Sequence, residues 1–320
     1  MARRAIRVGG VGVAPGERRD VEVKVARLPT GIWISLPIQV LHGREPGPSL
    51  WLSAALHGDE LNGMEIVHRV LQRLDPDELR GTVIAVPVVN VFGFLEQSRY
   101  LPDRRDLNRS FPGSPKGSLA SRLAHLVTEN VISRCQYGID FHTGSAQRTN
   151  LPQIRADLDD PETRSLALAF GAPLIYKARE IAGSLRATAR RKGAVALVFE
   201  GGEPLRFNRR VIEVGVRGTL AVLDALEMWE APGLPATAPI FEASSVRWVR
   251  ASRSGIFHLE VELGQRVEKG QVVGWLSEPL GNQRRAVHAP SAGIVLAHTN
   301  SPLVYQGDAL VHVAAGDRRR

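Results

Sequence analysis

The chain changes hydrophobic rhythm once, at the stretch 231–239, and that change limits the folds open to it. Before it, apolar runs of strand length alternate with segments of helical spacing; after it, short β-like runs are separated by glycine turns and no helical period is visible. Residues 21–26 and 32–41 read as strands, the second broken by Pro37. Residues 50–56 are apolar except Ser53, as a strand buried on both faces should be. Residues 60–74 then place Leu61, Met64, Ile66, Val67, Val70, Leu71 and Leu74 at helical spacing. A strand at 82–89, a long loop at 93–117 and a helix at 119–132 capped by Ser118 follow. Next come a strand at 138–142, a polar loop through 160, strands at 173–176 and 194–199 around a helix at 185–191, and a long helix at 208–229. This alternation predicts an α/β fold with a mixed, mostly parallel sheet flanked by helices. Residues 231–239, with three prolines and one glycine, read as a linker. The expected division is a catalytic domain over 1–235 and a small, all-β, barrel-like domain over 240–316.

Composition excludes more than it selects. An apolar fraction of 43 % in 320 residues is that of an ordinary globular chain, and the apolar runs are strand-sized, too short to cross a bilayer. The basic N-terminus leads into Gly9-Gly10 and not into an apolar signal core. Cys135 is the single cysteine, so no intrachain disulfide can form and a cytoplasmic setting is expected. The net charge of +8 is scattered, with Arg318-Arg319-Arg320 read as a frayed, solvated tail, and no base-stacking motif accompanies it. Neither nucleic acid nor membrane is expected as a partner; a homo-oligomer is compatible with the sequence.

The chemistry concentrates at strand ends. His57-Gly58-Asp59-Glu60 closes the apolar run 50–56, and His142 closes the strand 138–142. Histidine and glutamate three positions apart can reach one ion from one side, and a distant histidine can complete the set. Three protein ligands leave a tetrahedral Zn²⁺ one open position, the mark of a catalytic site. Gly58 would allow a sharp turn there, and Asp59 suits a helix N-terminus. Asp140, two residues before His142 on the same strand face, is a candidate to orient the imidazole. His68 lies eight positions past Glu60, roughly 12 Å along a helix, and cannot share the ion. His42, His125, His258, His288, His298 and His312 lack ligand-like spacing and are read as structural.

A hydrolytic metal site needs a base and a way to hold substrate. Glu200 follows the apolar run 194–199 and precedes Gly201-Gly202, where packing does not call for a carboxylate; it is the candidate general base, ahead of Glu203. In the long loop, Asn108 and Arg109 form a candidate carboxylate clamp, and Arg99 is a candidate to grip a second anion or polarise the scissile carbonyl. Arg104 and Arg105 read as solvated.

These motifs together resemble the succinylglutamate desuccinylase/aspartoacylase family, relatives of zinc carboxypeptidases. The pieces are His57-Gly58-Asp59-Glu60, Ser98-Arg99-Tyr100, the run from Asp106 to Gly113, the run from Asp140 to Gly144, and Phe199-Glu200-Gly201-Gly202, in family order over 45–205. The resemblance implies a zinc carboxypeptidase-like fold and one Zn²⁺ per chain held by His57, Glu60 and His142. It implies Glu200 as general acid/base, Asn108 and Arg109 on the substrate carboxylate, and Arg99 on substrate or the developing oxyanion. A further substrate arginine before the catalytic glutamate corresponds to Arg186 or Arg190, with Arg186 taken as the candidate. The implied reaction is deacylation of a small N-acyl amino acid. The alternatives are a zinc carboxypeptidase acting on short peptides, or a non-catalytic metal-binding scaffold. Residues 240–316 resemble a lipoyl/biotinyl-like β domain through Gly255-Ile256-Phe257, the run 267–274, the run 289–295 and Gly307-Asp308. The hairpin 277–286 carries arginines and no lysine, which argues against a carrier role, and the segment is expected to limit access to the cleft.

Overall fold

The computed structural model describes residues 3–234, 239–281 and 283–319, the last three by their backbone only. The middle of the expected linker, 235–238, therefore lies outside the described residues. An antiparallel hairpin, β1 (Ile6–Val8) and β2 (Val11–Val13), opens the chain. A long antiparallel pair, β3 (Glu17–Arg27) and β4 (Trp33–His42), precedes β5 (Glu45–Ala54), β6 (Arg80–Val86), β7 (Tyr137–His142), β8 (Arg148–Ala156), β9 (Leu174–Lys177) and β10 (Val195–Gly202). The helices are α1 (Asn62–Leu71), α2 (Val91–Leu95), α3 (Leu119–Asn130), α4 (Pro161–Phe170), α5 (Leu185–Arg191) and α6 (Arg209–Ala225). Strands β11 (Ile240–Arg250), β12 (Gly255–Leu259), β13 (Arg266–Val267), β14 (Val272–Ser277), β15 (Arg285–His288), β16 (Gly293–Thr299), β17 (Leu303–Val304) and β18 (Ala309–Arg319) make up the C-terminal part, with no helix among the described residues there.

One twelve-stranded sheet runs through most of the chain in the order β13-β16-β18-β11-β9-β8-β10-β7-β5-β6-β4-β3. Strands β6, β5, β7 and β10 are parallel, β8 enters antiparallel to β10, and β9 and β11 run parallel to β8. The fold is mixed α/β. Strand parity explains its two cores. Leu50, Leu52, Ile139, Phe141, Leu197 and Phe199 face one side, under α1, α4 and α6. Trp51 and Ala196 face the other, with Leu123 of α3 and Leu185 of α5. Strand β5 is thus apolar on both faces, which is why 50–56 reads as a continuous apolar run, whereas β7 turns Asp140 and His142 to the second face.

The sequence reading and the structure part at definable places. Strand β5 stops at Ala54, because Ala55 takes a positive φ of 47° and starts the turn to His57. Helix α1 begins at Asn62, so Glu60 precedes it and Asp59 is outside its first turn. Pro37 does not break β4: pairing with β6 covers only Gln39–His42, so no neighbour on that side needs its missing N–H. The polar stretch read as loop holds β8, and α4 follows it, capped by Asp160. The backbone of Arg318 and Arg319 is not frayed but pairs with Phe241 and Ile240; Arg320 lies outside the described residues.

The sheet does not stop at the proline-rich stretch. β11 pairs with β9, and β16 with β8, so C-terminal strands extend the sheet that carries the central strands. Leu174 and Tyr176 of β9 pack with Phe241, Ala243, Ile294, Leu296 and Ala314 in one buried cluster. A four-stranded sheet, β15-β14-β12-β17, brings Phe257, Val273 and Leu276 into a second buried cluster with Val295 of β16 and Leu310 of β18. Deleting the chain beyond residue 238 would strip Leu174 and Tyr176 of that cover. At about 1.5–3 kcal/mol per buried apolar side chain, the expected loss is about 5 kcal/mol. Thermal unfolding measures it, and a truncated chain as stable as the full one would refute the shared core.

Candidate active site

Register assembles the site before any side chain turns toward it. Ser53 of β5 lies opposite Asp140 of β7, His142 of β7 opposite Glu200 of β10, and Glu200 opposite Gln153 of β8. Neighbouring strands are about 4.8 Å apart. His142, Glu200 and Gln153 therefore stand in a row across three strands, on the face away from Phe141 and Phe199. Glu200 lies inside β10 and not just past its end, as the sequence suggested.

His57 and Glu60 arrive on the turn after β5. Gly58 serves close packing there: a Cβ would fall 1.9 Å from the Gly93 carbonyl carbon, so the turn can lie against α2 only with glycine. His57, Glu60 and His142 are all buried, with candidate ligand atoms within 4.8 Å of one another. Glu60 Oε1 stands 2.8 Å from His57 Nδ1, and its Oε2 2.8 Å from His142 Nδ1 and 3.1 Å from the Thr143 N–H that donates to it. His142 Nε2 is bonded to Asp140 Oδ2 at 2.8 Å, and Ser53 Oγ donates to Asp140 Oδ1 at 2.7 Å. His57 Nε2 stands 3.4 Å from Asp106 Oδ1 without making a hydrogen bond.

Burial alone would lower both imidazoles. For His142, Asp140 and Glu60 outweigh burial and hold it well above the ordinary value; for His57, Glu60 and Asp106 raise it. Burial pushes the Glu60 carboxyl up, but His57 and His142 outweigh it and hold the group below the carboxylate range. The two imidazoles, buried and converging on an ionised carboxylate, hold protons that a divalent cation would displace on binding. The donor set of two nitrogens and one oxygen, with a carboxylate behind one imidazole, fits Zn²⁺.

His57, Glu60, His142, Glu200, Arg99, Asn108, Arg109 and Arg186 all line one cavity of about 270 Å³. Asn108 Oδ1 accepts from Leu185 N–H at 2.9 Å, which ties the long loop to α5, and the Arg109 guanidinium donates to the Asn108 carbonyl at 2.7 Å. Arg99 pairs with Asp106 at 2.9 Å and stands 3.6 Å from Glu60. Arg186 is buried, donates Nη2 to the carbonyls of Ala178 and Arg179, and keeps Nη1 without a partner. Arg190 instead pairs outward with Asp157 and Glu180. Glu203 accepts from Thr149 Oγ1 and is not part of the cavity wall. His68 is exposed beside Glu65.

The sequence reading missed the wall supplied by β8. Asn150 Nδ2 donates to Glu200 Oε2 at 2.8 Å, and Arg155 pairs with Glu200 Oε1. The alternation Gln153-Ile154-Arg155-Ala156, with Ile154 and Ala156 buried, was the available signal; Pro152 and the polar run before it obscured it. His312, read as structural, lines the cavity together with Trp248, both from the C-terminal strands.

Residues 46–226 match the catalytic domain described as succinylglutamate desuccinylase/aspartoacylase. The N-alpha-acetyl-L-2,4-diaminobutyric acid deacetylase of Halomonas elongata is 29 % identical over 298 residues, 88 % of this chain and 86 % of the relative. A succinylglutamate desuccinylase/aspartoacylase structure from Rhodobacter sphaeroides shares 27 % identity at a TM-score of 0.84, over 94 % of this chain and 95 % of its own. The product-bound ectoine utilization protein EutE (DoeB) of Ruegeria pomeroyi shares the fold at a TM-score of 0.82 and 23 % identity, over 93 % of this chain and 94 % of its own.

Proposed function

The chain belongs to the succinylglutamate desuccinylase/aspartoacylase family, whose catalytic domain it matches over residues 46–226, and from that premise we propose a zinc-dependent amidohydrolase that deacylates a small N-acyl amino acid. The observation that carries this reading is the convergence of His57, Glu60 and His142 beside Glu200, which the β7–β10 register sets next to His142. When bound by these three side chains, Zn²⁺ supplies a Lewis acid that makes water nucleophilic near neutral pH and polarises an amide carbonyl. Glu200, held by Asn150 and Arg155, takes the proton from the attacking water and returns it to the leaving nitrogen. Carbon–nitrogen cleavage then releases a carboxylic acid and an amine. Asn108, Arg109 and Arg186 hold the substrate carboxylate, and Arg99 steadies charge at the reacting carbonyl.

The cavity, about 270 Å³, supports a small substrate over a polypeptide, being at the low end of the usual ligand-site volume. The catalytic unit is assigned to 1–235, with a zinc carboxypeptidase-like sheet, and a lipoyl/biotinyl-like module to 240–316. The separate core around Phe257 and Leu276 supports that module. Among the described residues no helix is long and apolar enough to cross a membrane; the cytoplasmic assignment rests on the single cysteine.

The test is amine release from N-acetyl and N-succinyl amino acids and from dipeptides, before and after chelation. Hydrolysis of an acyl amino acid that stops on chelation and returns with Zn²⁺ is expected, with dipeptides at least about 100-fold slower, the scale on which positioning contacts act. Dipeptide hydrolysis without acyl amino acid hydrolysis would replace this reading with a carboxypeptidase.

A further inference from the structure

The cavity wall holds more positive charge than its acids neutralise. Of its arginines, Arg99 pairs with Asp106 and Arg155 with Glu200. Arg109, Arg148 and Arg186 have no carboxylate within ion-pair distance among the described residues. Arg109 and Arg186 already have a place in the reading above; Arg148 does not.

Arg148 is held in a layered arrangement built by distant parts of the chain. Its guanidinium lies 5.0 Å from the Trp248 ring centroid. On the antiparallel pair β11–β18, Trp248 is the register partner of His312, and the two rings stack at 4.3 Å with 7° between their planes. Arg148 itself is opposite Thr299 of β16, and β16 pairs with β18. Guanidinium, indole and imidazole thus stack across the seam between β8 and the C-terminal strands. Burial, then Arg155 and Arg148, push the His312 imidazole down to about 4, so it stays neutral near pH 7 and adds no charge. The arrangement fixes a guanidinium whose N–H groups meet no acceptor side chain among the described residues, at the wall of a substrate cavity.

We propose that Arg148, fixed on Trp248 by the C-terminal strands, is a specificity-determining residue that receives a second carboxylate of the substrate, on its acyl chain or on its amino-acid side chain. This rests on the deacylase reading and narrows its substrate class to dianions. It also separates this chain from a relative named for a diaminobutyrate, whose second amine would meet three unpaired guanidiniums.

Two measurements test it. The first compares kcat/KM for N-acetylalanine, N-succinylalanine, N-acetylaspartate and N-acetyl-2,4-diaminobutyrate in wild type, Arg148→Ala, Arg148→Lys and Trp248→Ala. The wild type should favour one of the dianions, and which one tells whether the acyl chain or the side chain carries the second carboxylate. Arg148→Ala should cost that dianion about 10- to 100-fold more than it costs N-acetylalanine, chiefly through KM, as expected for one charge-assisted hydrogen-bonded pair. Arg148→Lys should recover part of the loss, and Trp248→Ala should show the same selectivity change in weaker form. An equal loss on all four substrates would overturn the proposal, as would a preference for the diaminobutyrate derivative. The second measurement needs no turnover: calorimetric binding of succinate and of acetate to wild type and Arg148→Ala. Tighter succinate binding that disappears in the variant supports the subsite even if none of the four amides is cleaved, the result that would instead sink the deacylase reading. Succinate binding that ignores Arg148 overturns the subsite.

Discussion

Glu200→Gln should keep its fold and bind its metal while losing about 10²- to 10⁴-fold in turnover, the usual contribution of a positioned acid/base. An amide at this position can still accept one hydrogen bond from Asn150 or Arg155, but it cannot take a proton from water or hand one to the leaving nitrogen. The loss should therefore fall on kcat at roughly constant KM, since the group acts in the transition state and not in ground-state binding. Glu200→Asp is the companion variant: it keeps the chemistry, shortens the reach and should fall between the two. Steady-state kinetics alongside metal analysis distinguishes the outcomes. Turnover within about threefold of wild type in Glu200→Gln would remove the role assigned to this side chain.

The second large effect is on the metal. His57→Ala and His142→Ala should each lose stoichiometric zinc and all measurable hydrolysis, because each removes one of the three proposed ligands. The two variants should differ in stability. His142→Ala leaves the buried Asp140 carboxylate with Ser53 alone, a loss of about 1–3 kcal/mol for an unsatisfied buried group. His57→Ala takes a partner from Glu60 Oε1, but Glu60 keeps His142 and the Thr143 N–H and Asp106 keeps Arg99, so its loss should be smaller. Added zinc should raise the melting temperature of wild type, since a ligand that binds only the folded state stabilises it, and should leave both variants unmoved. His68→Ala, at an exposed helix position, is the control and should bind zinc normally. Full zinc occupancy in both histidine variants would discard the ligand set.

How much of this was legible before folding differs from residue to residue. His57 and Glu60 are three apart, and so short a separation limits where the two side chains can point. The pair could be read directly, although the helix expected to carry Glu60 starts two residues later. Asp140 and His142 share a strand face by the two-residue period alone. Glu200 could be nominated from its place beside an apolar run, yet its adjacency to His142 depends on the parallel register of β7 with β10. Arg155 and Asn150 were not nominated, because β8 is polar on its cavity face and interrupted by Pro152, which disguises a strand as a loop. Arg148 could not have been valued without Trp248 and His312, which follow it by about a hundred residues or more.

The C-terminal part gives the same lesson. Its change of rhythm after the prolines was plain in the sequence, and so was its all-β character. That β11 and β16 would continue the sheet of the first part, and that β11 and β18 would supply a wall of the cavity, was not.

By itself, then, the sequence determined which segments became strands and helices in most of the chain, which strand faces are buried, and which side chains share a turn or a strand end. These follow from backbone geometry, side-chain period and turn chemistry, all of which act over a few residues. Tertiary structure alone decided that β8 runs antiparallel to β10 and parallel to β9, that Arg155 meets Glu200, and that Trp248 and His312 close on Arg148. Those contacts depend on the register between strands far apart in the chain. Register is selected when whole faces are buried together, and no local pattern encodes it.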